Sequence, residues 1–286
     1  MPVSVEPFRV LAPGKLVIAG EYAVLDGAPA LVLAINSGVS CTFRAGPDMA
    51  IITPDGDTRF VAPCLKDAEI GSYQFETWNP PPTQEKPGFG GSASACVAAC
   101  VAAGRPATDA FAIHKSVQGG GSGADVASSI AGGMIRFIDG NWTPTPTLAP
   151  IVVWSGRSAR TGPRVQRYLQ WSKRDDFVAE STILTDAISS TPIPAIKALS
   201  TLLRSMAEAA GLPYLTPQLE KIRSRAEELG GASKPSGAGG GDCAIALLPD
   251  IEAEQAFLSQ IRKDGFVTIP VLPSTGAVRT SLPSPG

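Results

Sequence analysis

Pro87-Gly88-Phe89-Gly90-Gly91-Ser92-Ala93-Ser94 runs directly into the small-residue stretch from Ala95 to Ala103. Glycines free to turn, followed at once by strong helix formers, predict a tight loop that opens a helix. The first N–H groups of a helix lack partners inside it, and the helix dipole adds partial positive charge at that end. Gly88, Phe89, Gly90, Gly91, Ser92, Ala93 and Ser94 are therefore the candidate anion-binding residues, and the Ser92 hydroxyl could serve a phosphate or a metal. A plain surface turn is the competing reading. The Gly-Lys-Ser/Thr ending of a Walker loop is absent. No strand closely precedes the segment and no acidic residue sits where a ribose would need one, so a dinucleotide fold does not follow either.

Upstream, Phe8 to Ile18 alternates and then runs apolar, as a strand reaching a turn at Pro13-Gly14, and Leu31 to Phe43 reads as another strand. Residues 46–87, broken by Gly, Pro, Asp and Asn, read as an irregular surface excursion. Downstream, helices are expected over Thr108–Gln118 and from Asp125, with short strands at Met134–Ile138 and Ile151–Trp154. In the second half Ile196, Leu199, Leu203, Met206 and Ala210 make one helical face. Thr216-Pro217 caps a second helix striped by Leu219, Ile222, Ala226 and Leu229. A strand at Cys243–Leu248, a helix at Ile251–Lys263 and a strand at Phe266–Val271 follow. Such interleaving predicts an α+β protein with a boundary near 140–150.

Composition narrows the function classes. Of 286 residues 44% are apolar, enough for a proper core, and 24 basic against 26 acidic side chains leave a net charge of −2. No basic field exists to hold nucleic acid or an anionic membrane. Glycine and proline, 30 and 26 residues, make about a fifth of the chain, against about 12% on average. Five cysteines, Cys41, Cys64, Cys96, Cys100 and Cys243, include no pair at zinc-finger spacing, and Cys96 and Cys100 suit reduced, buried thiols on one helix. They read as structural residues, not metal ligands. The N-terminus has no basic region and no apolar core, and no stretch approaches the ~20 residues that span a bilayer. A soluble cytoplasmic protein is expected.

Three more segments bear on chemistry. Ala12-Pro-Gly-Lys15-Leu-Val-Ile-Ala-Gly-Glu21-Tyr22 sets a lysine after a Pro-Gly pair within an apolar stretch, though a surface lysine and glutamate flanking a strand would read the same. Ser233-Lys-Pro-Ser236-Gly237-Ala238-Gly239-Gly-Gly-Asp242 holds four glycines, a steep entropy cost unless the backbone must approach a ligand closely. Gly119-Gly-Gly-Ser122-Gly-Ala-Asp125 delivers an aspartate to a helix start, where capping alone could explain it. Together, a lysine, an aspartate and separate glycine-rich anion loops are what phosphoryl transfer without a Walker lysine requires.

These segments resemble the signatures of the GHMP small-molecule kinases, and most closely those of the phosphomevalonate kinases. Pro13-Gly-Lys15…Gly20-Glu21-Tyr22-Ala-Val, Gly88-Phe-Gly-Gly-Ser92-Ala, Gly121-Ser-Gly-Ala-Asp125, Trp154-Ser-Gly-Arg-Ser158-Ala-Arg-Thr161 and Lys234-Pro-Ser-Gly-Ala-Gly-Gly-Gly-Asp-Cys243 stand in the family's order from end to end. The resemblance implies an ATP-binding N-terminal α/β domain over 1–148, a C-terminal α+β domain over 149–286, and an active site between them. It implies ATP-dependent phosphorylation of 5-phosphomevalonate to 5-diphosphomevalonate with Mg2+, in isoprenoid biosynthesis, and it allows a homodimer. Lys15 and Asp125 become the catalytic pair, with Lys15 the main electrostatic contributor, bridging donor and acceptor phosphates, and Asp125 positioning Lys15 and the acceptor. Acceptor contacts are implied for Lys15, Glu21, Tyr22, Ser122, Asp125, Arg157, Ser158, Arg160, Ser236, Gly237, Ala238 and Gly239. Gly91 replaces a family serine, leaving Ser92 as the magnesium hydroxyl. His114 stands where mevalonate kinases carry a metal-binding carboxylate, so ATP phosphates, Ser92 and water are expected to hold the ion.

Three rivals carry different expectations. Another GHMP kinase would phosphorylate an alcohol; the Arg157, Arg160, Arg164, Arg167 cluster argues for an acceptor already bearing phosphate, though a solvated helix face explains it too. A non-catalytic sensor of the same fold would not need both Lys15 and Asp125. Mevalonate diphosphate decarboxylases generally lack the lysine at the position of Lys15.

Overall fold

The computed structural model describes residues 6–159 and 161–282. Its first sheet is centred on β1 (Phe8–Ala19) and β2 (Ala30–Ala45), a long antiparallel pair. The expected turn at Pro13-Gly14 is absent. The strand continues through it with a shift of register, so that Pro13 faces Gly38 and Gly14 faces Ile35. Gly14 is required there, because a Cβ would lie 2.6 Å from the Ser37 carbonyl oxygen and 2.7 Å from that of Phe89. A shift of this kind re-aims the residues beyond it, and the first of them is Lys15.

The region 46–87 is more regular than its composition suggests. It contains β3 (Ala50–Ile52) and β4 (Gly71–Trp78), and β4 runs antiparallel to β2. Tyr73 and Phe75 point into the core while Gln74 and Glu76 face solvent, the alternation of a half-buried strand. β5 (Met134–Ile138) and β6 (Asn141–Thr145) form a hairpin on the other end of β2. Its turn residues Asp139 and Gly140 both have positive φ, 44° and 81°, the geometry that matches strand twist.

Helices α1 (Gly91–Ala102), α2 (Asp109–Gln118) and α3 (Ala124–Ala131) pack on this sheet. The small side chains of α1 let Cys96, Val97 and Cys100 settle against Val10, Phe43, Tyr73 and Phe75. A second, four-stranded antiparallel sheet has the order β10 (Val267–Ile269), β7 (Ile151–Trp154), β9 (Cys243–Leu247), β8 (Ala232–Pro235). Around it lie α4 (Thr161–Gln170), α5 (Asp175–Ala187), α6 (Pro192–Ala209), α7 (Pro217–Glu228) and α8 (Ile251–Lys263). α7 begins as its sequence dictates, with the Thr216 hydroxyl oxygen accepting from Leu219 N at 3.2 Å and proline in the first turn.

An apolar seam joins the two sheets: Leu16, Ile18, Leu33 and Ile35 meet Val152, Ile196, Leu199 and Ile245. Each such side chain contributes about 1.5–3 kcal/mol by leaving water. The mixed α+β architecture follows expectation, but the halves do not divide cleanly at 148. After β10 the chain crosses back, and β11 (Val278–Ser281) pairs antiparallel with β1. The first sheet thus uses both ends of the sequence. None of the described helices is long and apolar enough to cross a membrane.

Candidate active site

A cavity of roughly 820 Å³ opens where the two sheets meet, and all the glycine-rich segments reach it. The loop before α1 contributes Gly88, Gly90 and Ser92 to its wall. Gly88 and Gly90 hold positive φ of 81° and 75°, and Gly90 caps α1. No acidic residue stands in the first turn of α1 to compete for an anion. Phe89, Ala93 and Ser94 serve differently, being buried in the core. Ser94 donates to the Pro13 carbonyl at 2.8 Å, and the Phe89 carbonyl accepts from Lys15 N at 2.9 Å. Gly91 is exposed and does not line the cavity.

Lys15, half-buried on β1, lies against this loop. Its ammonium donates to the Gly88 carbonyl at 3.0 Å. A Cβ on Gly90 would lie 3.2 Å from Lys15 Cγ and 3.7 Å from Asp125 Cβ, so lysine and aspartate flank the same glycine. Their side chains make no hydrogen bond or ion pair with each other. Asp125 instead accepts from Val126 N at 2.9 Å in the first turn of α3, so the capping role and a place on the cavity wall coexist.

The third loop is stitched to the end of β1. Ser236 Oγ accepts from Val17 N at 2.9 Å and donates to Val17 O at 3.1 Å. Tyr22, at φ 63°, donates its hydroxyl to the Ala238 carbonyl at 2.6 Å, and burial pushes that phenol well above its ordinary range against the opposing charge of Arg164. Glu21 is buried and ion-paired with Lys234, which is buried too and also donates to Pro235 O at 2.9 Å. Gly237 N donates to Glu21 at 3.4 Å. Gly239 does not line the cavity. A Cβ there would lie 2.4 Å from the Tyr214 ring, so its glycine serves packing.

Sequence reasoning singled out neither Lys234 nor Asp242 as a site residue. Asp242 lines the cavity, accepts from Ala159 N at 2.8 Å, and would lie 2.5 Å from a Cβ on Gly88. Burial raises its carboxyl above the usual range, opposed by the Ala159 hydrogen bond and the charges of Lys15 and Arg164. The signal was present: a lone lysine and a lone acid bracketing a glycine run that had to fold inward.

Arginine placement corrects the sequence reading. Arg157 is exposed and lines a separate depression with Pro217, Lys221 and Phe266; only its carbonyl meets the site, accepting from Asp242 N at 2.9 Å. Arg167 donates to Gly211 O at 3.0 Å, away from the cavity, and Arg160 lies outside the described residues. Arg164 is the arginine whose charge acts on Tyr22 and Asp242. Ser122 stands on the wall, and Ser158 closes an edge by donating to Lys86 O at 2.6 Å.

Ser92 Oγ and His114 Nε2 are 3.1 Å apart, and the buried imidazole packs at 5.2 Å on Phe60. The Ser92 hydroxyl and the Asp125 carboxylate, at the starts of α1 and α3, share the cavity wall. Two oxygen donors beside an anion loop fit a magnesium ion that keeps water and phosphate ligands.

The Lys234–Glu21 pair gives a stability prediction. Burial lowers the lysine's affinity for its proton while Glu21 restores it. Breaking a buried pair from one side costs about 3–5 kcal/mol. Lys234→Met leaves a buried carboxylate without its counter-charge, so its Tm deficit should grow as pH rises. Glu21→Gln leaves a buried ammonium, so its deficit should grow as pH falls. Equal deficits across pH 5–9 in thermal melts would contradict the pairing.

Known proteins resemble this chain along most of its length. Residues 192–266, from α6 to just before β10, match the family model described as GHMP kinases C terminal. The phosphomevalonate kinase of Streptomyces sp. (strain CL190) is 27% identical over 362 aligned residues, covering 92% of this chain and 96% of that protein. The mevalonate kinase of Archaeoglobus fulgidus is 25% identical, covering 89% and 97%. The Streptococcus pneumoniae phosphomevalonate kinase, solved in complex with phosphomevalonate and AMPPNP, matches with a TM-score of 0.76 at 19% identity, covering 94% of this chain and 100% of that one.

Proposed function

We propose that this chain, whose fold is that of the GHMP kinases and whose sequence resembles the phosphomevalonate kinases among them, transfers the γ-phosphoryl group of ATP to the phosphate of 5-phosphomevalonate. The observation that carries the reading is the position of Lys15: its ammonium touches the Gly88 carbonyl, its stem flanks Gly90 opposite Asp125, and its charge reaches Asp242. Donor loop, aspartate and acceptor loop therefore converge on one cation.

The chemistry follows from charge. An acceptor phosphate is largely ionised near neutral pH, its second pKa being about 6, so little proton must be removed. An acceptor oxygen forms a bond to the γ-phosphorus as the bond to the ADP oxygen breaks. The barrier lies in bringing anions together and stabilising spreading charge. The amides at the start of α1 hold the triphosphate, Lys15 neutralises donor and acceptor, and Asp125 orients the acceptor from the start of α3. Magnesium arriving with the nucleotide would be held by Ser92 and Asp125 and would neutralise β/γ charge. Arg164, whose guanidinium packs against Gly240 of the acceptor loop and whose charge acts on Tyr22 and Asp242, is the arginine we assign to the acceptor phosphate in place of Arg157.

Two kinetic predictions follow. Ser92→Ala should raise the KM for MgATP about tenfold, the loss of one hydrogen bond to a charged group, and leave the acceptor KM unchanged. Arg164→Ala should raise the phosphomevalonate KM while Arg157→Ala leaves both KM values as they were. The reverse order in steady-state kinetics would return the acceptor phosphate to Arg157.

Mevalonate itself is the second reading. The exposed position of Arg157 removes one argument against an alcohol acceptor, and a mevalonate kinase is nearly as similar in sequence. An ADP-release screen against mevalonate, 5-phosphomevalonate, homoserine and galactose separates the two. Release with 5-phosphomevalonate alone supports the proposal, and release with mevalonate alone replaces it.

A further inference from the structure

Away from the cavity, behind the helix that carries the anion loop, the fold gathers three sulfurs that sequence spacing kept apart. Cys96 and Cys100 sit one turn apart on α1, and Cys64 comes from the turns wound over residues 58–65. We propose that Cys64, Cys96 and Cys100 form a three-sulfur site for one Cu(I) ion, independent of the function assigned to the cavity.

Geometry comes first. The three sulfurs all lie within 4.8 Å of one another, and those of Cys64 and Cys96 are 3.5 Å apart. A metal bonded to three coplanar sulfurs at about 2.3 Å holds them about 4 Å apart. The trio therefore reaches ligating distances by side-chain adjustments of less than an ångström, without moving α1.

Donor chemistry selects the metal. Among the described residues the cluster offers sulfur only, with no imidazole or carboxylate, and soft thiolates favour Cu(I) and zinc over magnesium, calcium or manganese. Structural zinc is almost always four-coordinate. All three cysteines are 0% exposed and enclosed by apolar neighbours, so no water can complete a tetrahedron. Cu(I) accepts three sulfurs.

Charge is manageable as well. Binding Cu(I) through three thiolates releases the three thiol protons and leaves a centre of net charge −2. Arg105, itself ion-paired with Asp109 at 2.9 Å, stands near enough to act on that charge. The ion would clamp the back of α1 to the 58–65 turns while its front faces the cavity.

The test is an anaerobic titration of the whole reduced chain with Cu(I) buffered by bathocuproine disulfonate. One equivalent per chain should leave the chelator, and saturation should raise Tm by about 5 °C or more. Cys64→Ser and Cys96→Ser should each weaken uptake at least 100-fold, whereas Cys41→Ser and Cys243→Ser, buried thiols outside the trio, should not. Copper left wholly with the chelator, or equal losses in all four variants, overturns the site. If the serine variants fail to fold, X-ray absorption on the copper-loaded wild-type chain decides: a sulfur-only shell supports the site, and nitrogen or oxygen in that shell overturns it.

Discussion

Lys15→Met lowers kcat by about 10³-fold at saturating substrates, in line with the loss of one preorganised charge contact worth ~4 kcal/mol. Methionine keeps the length of the side chain and removes its charge. The half-buried lysine fills no core volume and makes a single side-chain hydrogen bond, to Gly88 O, so Tm should stay close to that of the unaltered chain. Asp125→Asn should cost less, about 10²-fold, because an ionised phosphate acceptor needs orientation more than proton removal. Since Asp125 and Lys15 flank the same glycine and serve one transfer, the two losses should combine less than additively. A larger loss in Asp125→Asn than in Lys15→Met would make the carboxylate a general base and point back to an alcohol acceptor.

Gly90→Val should abolish nucleotide use, with kcat/KM for MgATP down by more than about 10³-fold. Two causes act at one position. Gly90 holds φ at 75°, a conformation that a β-branched residue adopts only under strain. Its Cβ would also lie 3.2 Å and 3.3 Å from Lys15 Cγ and Cε, and the added methyls would push the lysine off the loop. Gly91→Ala is the control, since that residue has no positive φ and nothing within 4 Å of its Cβ position. It should retain most activity. Circular dichroism and isothermal titration with a non-hydrolysable ATP analogue check both; a folded Gly90→Val chain that binds the analogue normally would reduce this loop to a turn.

Much of the fold was legible because local signals agreed with tertiary demand. Met134–Ile138 and Ile151–Trp154 are strands with those bounds, and the Thr216-Pro217 start of α7 follows from capping chemistry. What escaped was set by partners distant in sequence. β8 hides in Ala232–Pro235 because its partner β9 supplies the pairing, and β11 is a fully exposed strand recognisable only once β1 is beside it. β4 was obscured by its broken surroundings, although Tyr73 and Phe75 alternate with Gln74 and Glu76. At the site, Lys15, Asp125, Ser92 and Ser236 could be named from glycine-rich context. The Lys234–Glu21 pair spans 213 positions, and no spacing rule reaches that far. The arginine cluster misled because 157, 160, 164 and 167 look like one group, while the turn into α4 sends Arg157 and Arg164 to different surroundings.

The central claim, transfer of phosphate onto phosphate, is tested most directly by ³¹P NMR of the product. The purified chain is incubated with MgATP and 5-phosphomevalonate, and a parallel sample receives mevalonate. The account predicts that the 5-phosphomevalonate monoester resonance is replaced by two coupled diphosphate doublets as ADP accumulates, with no new phosphate signal from mevalonate. A monoester resonance growing from mevalonate, with 5-phosphomevalonate left unchanged, would contradict it.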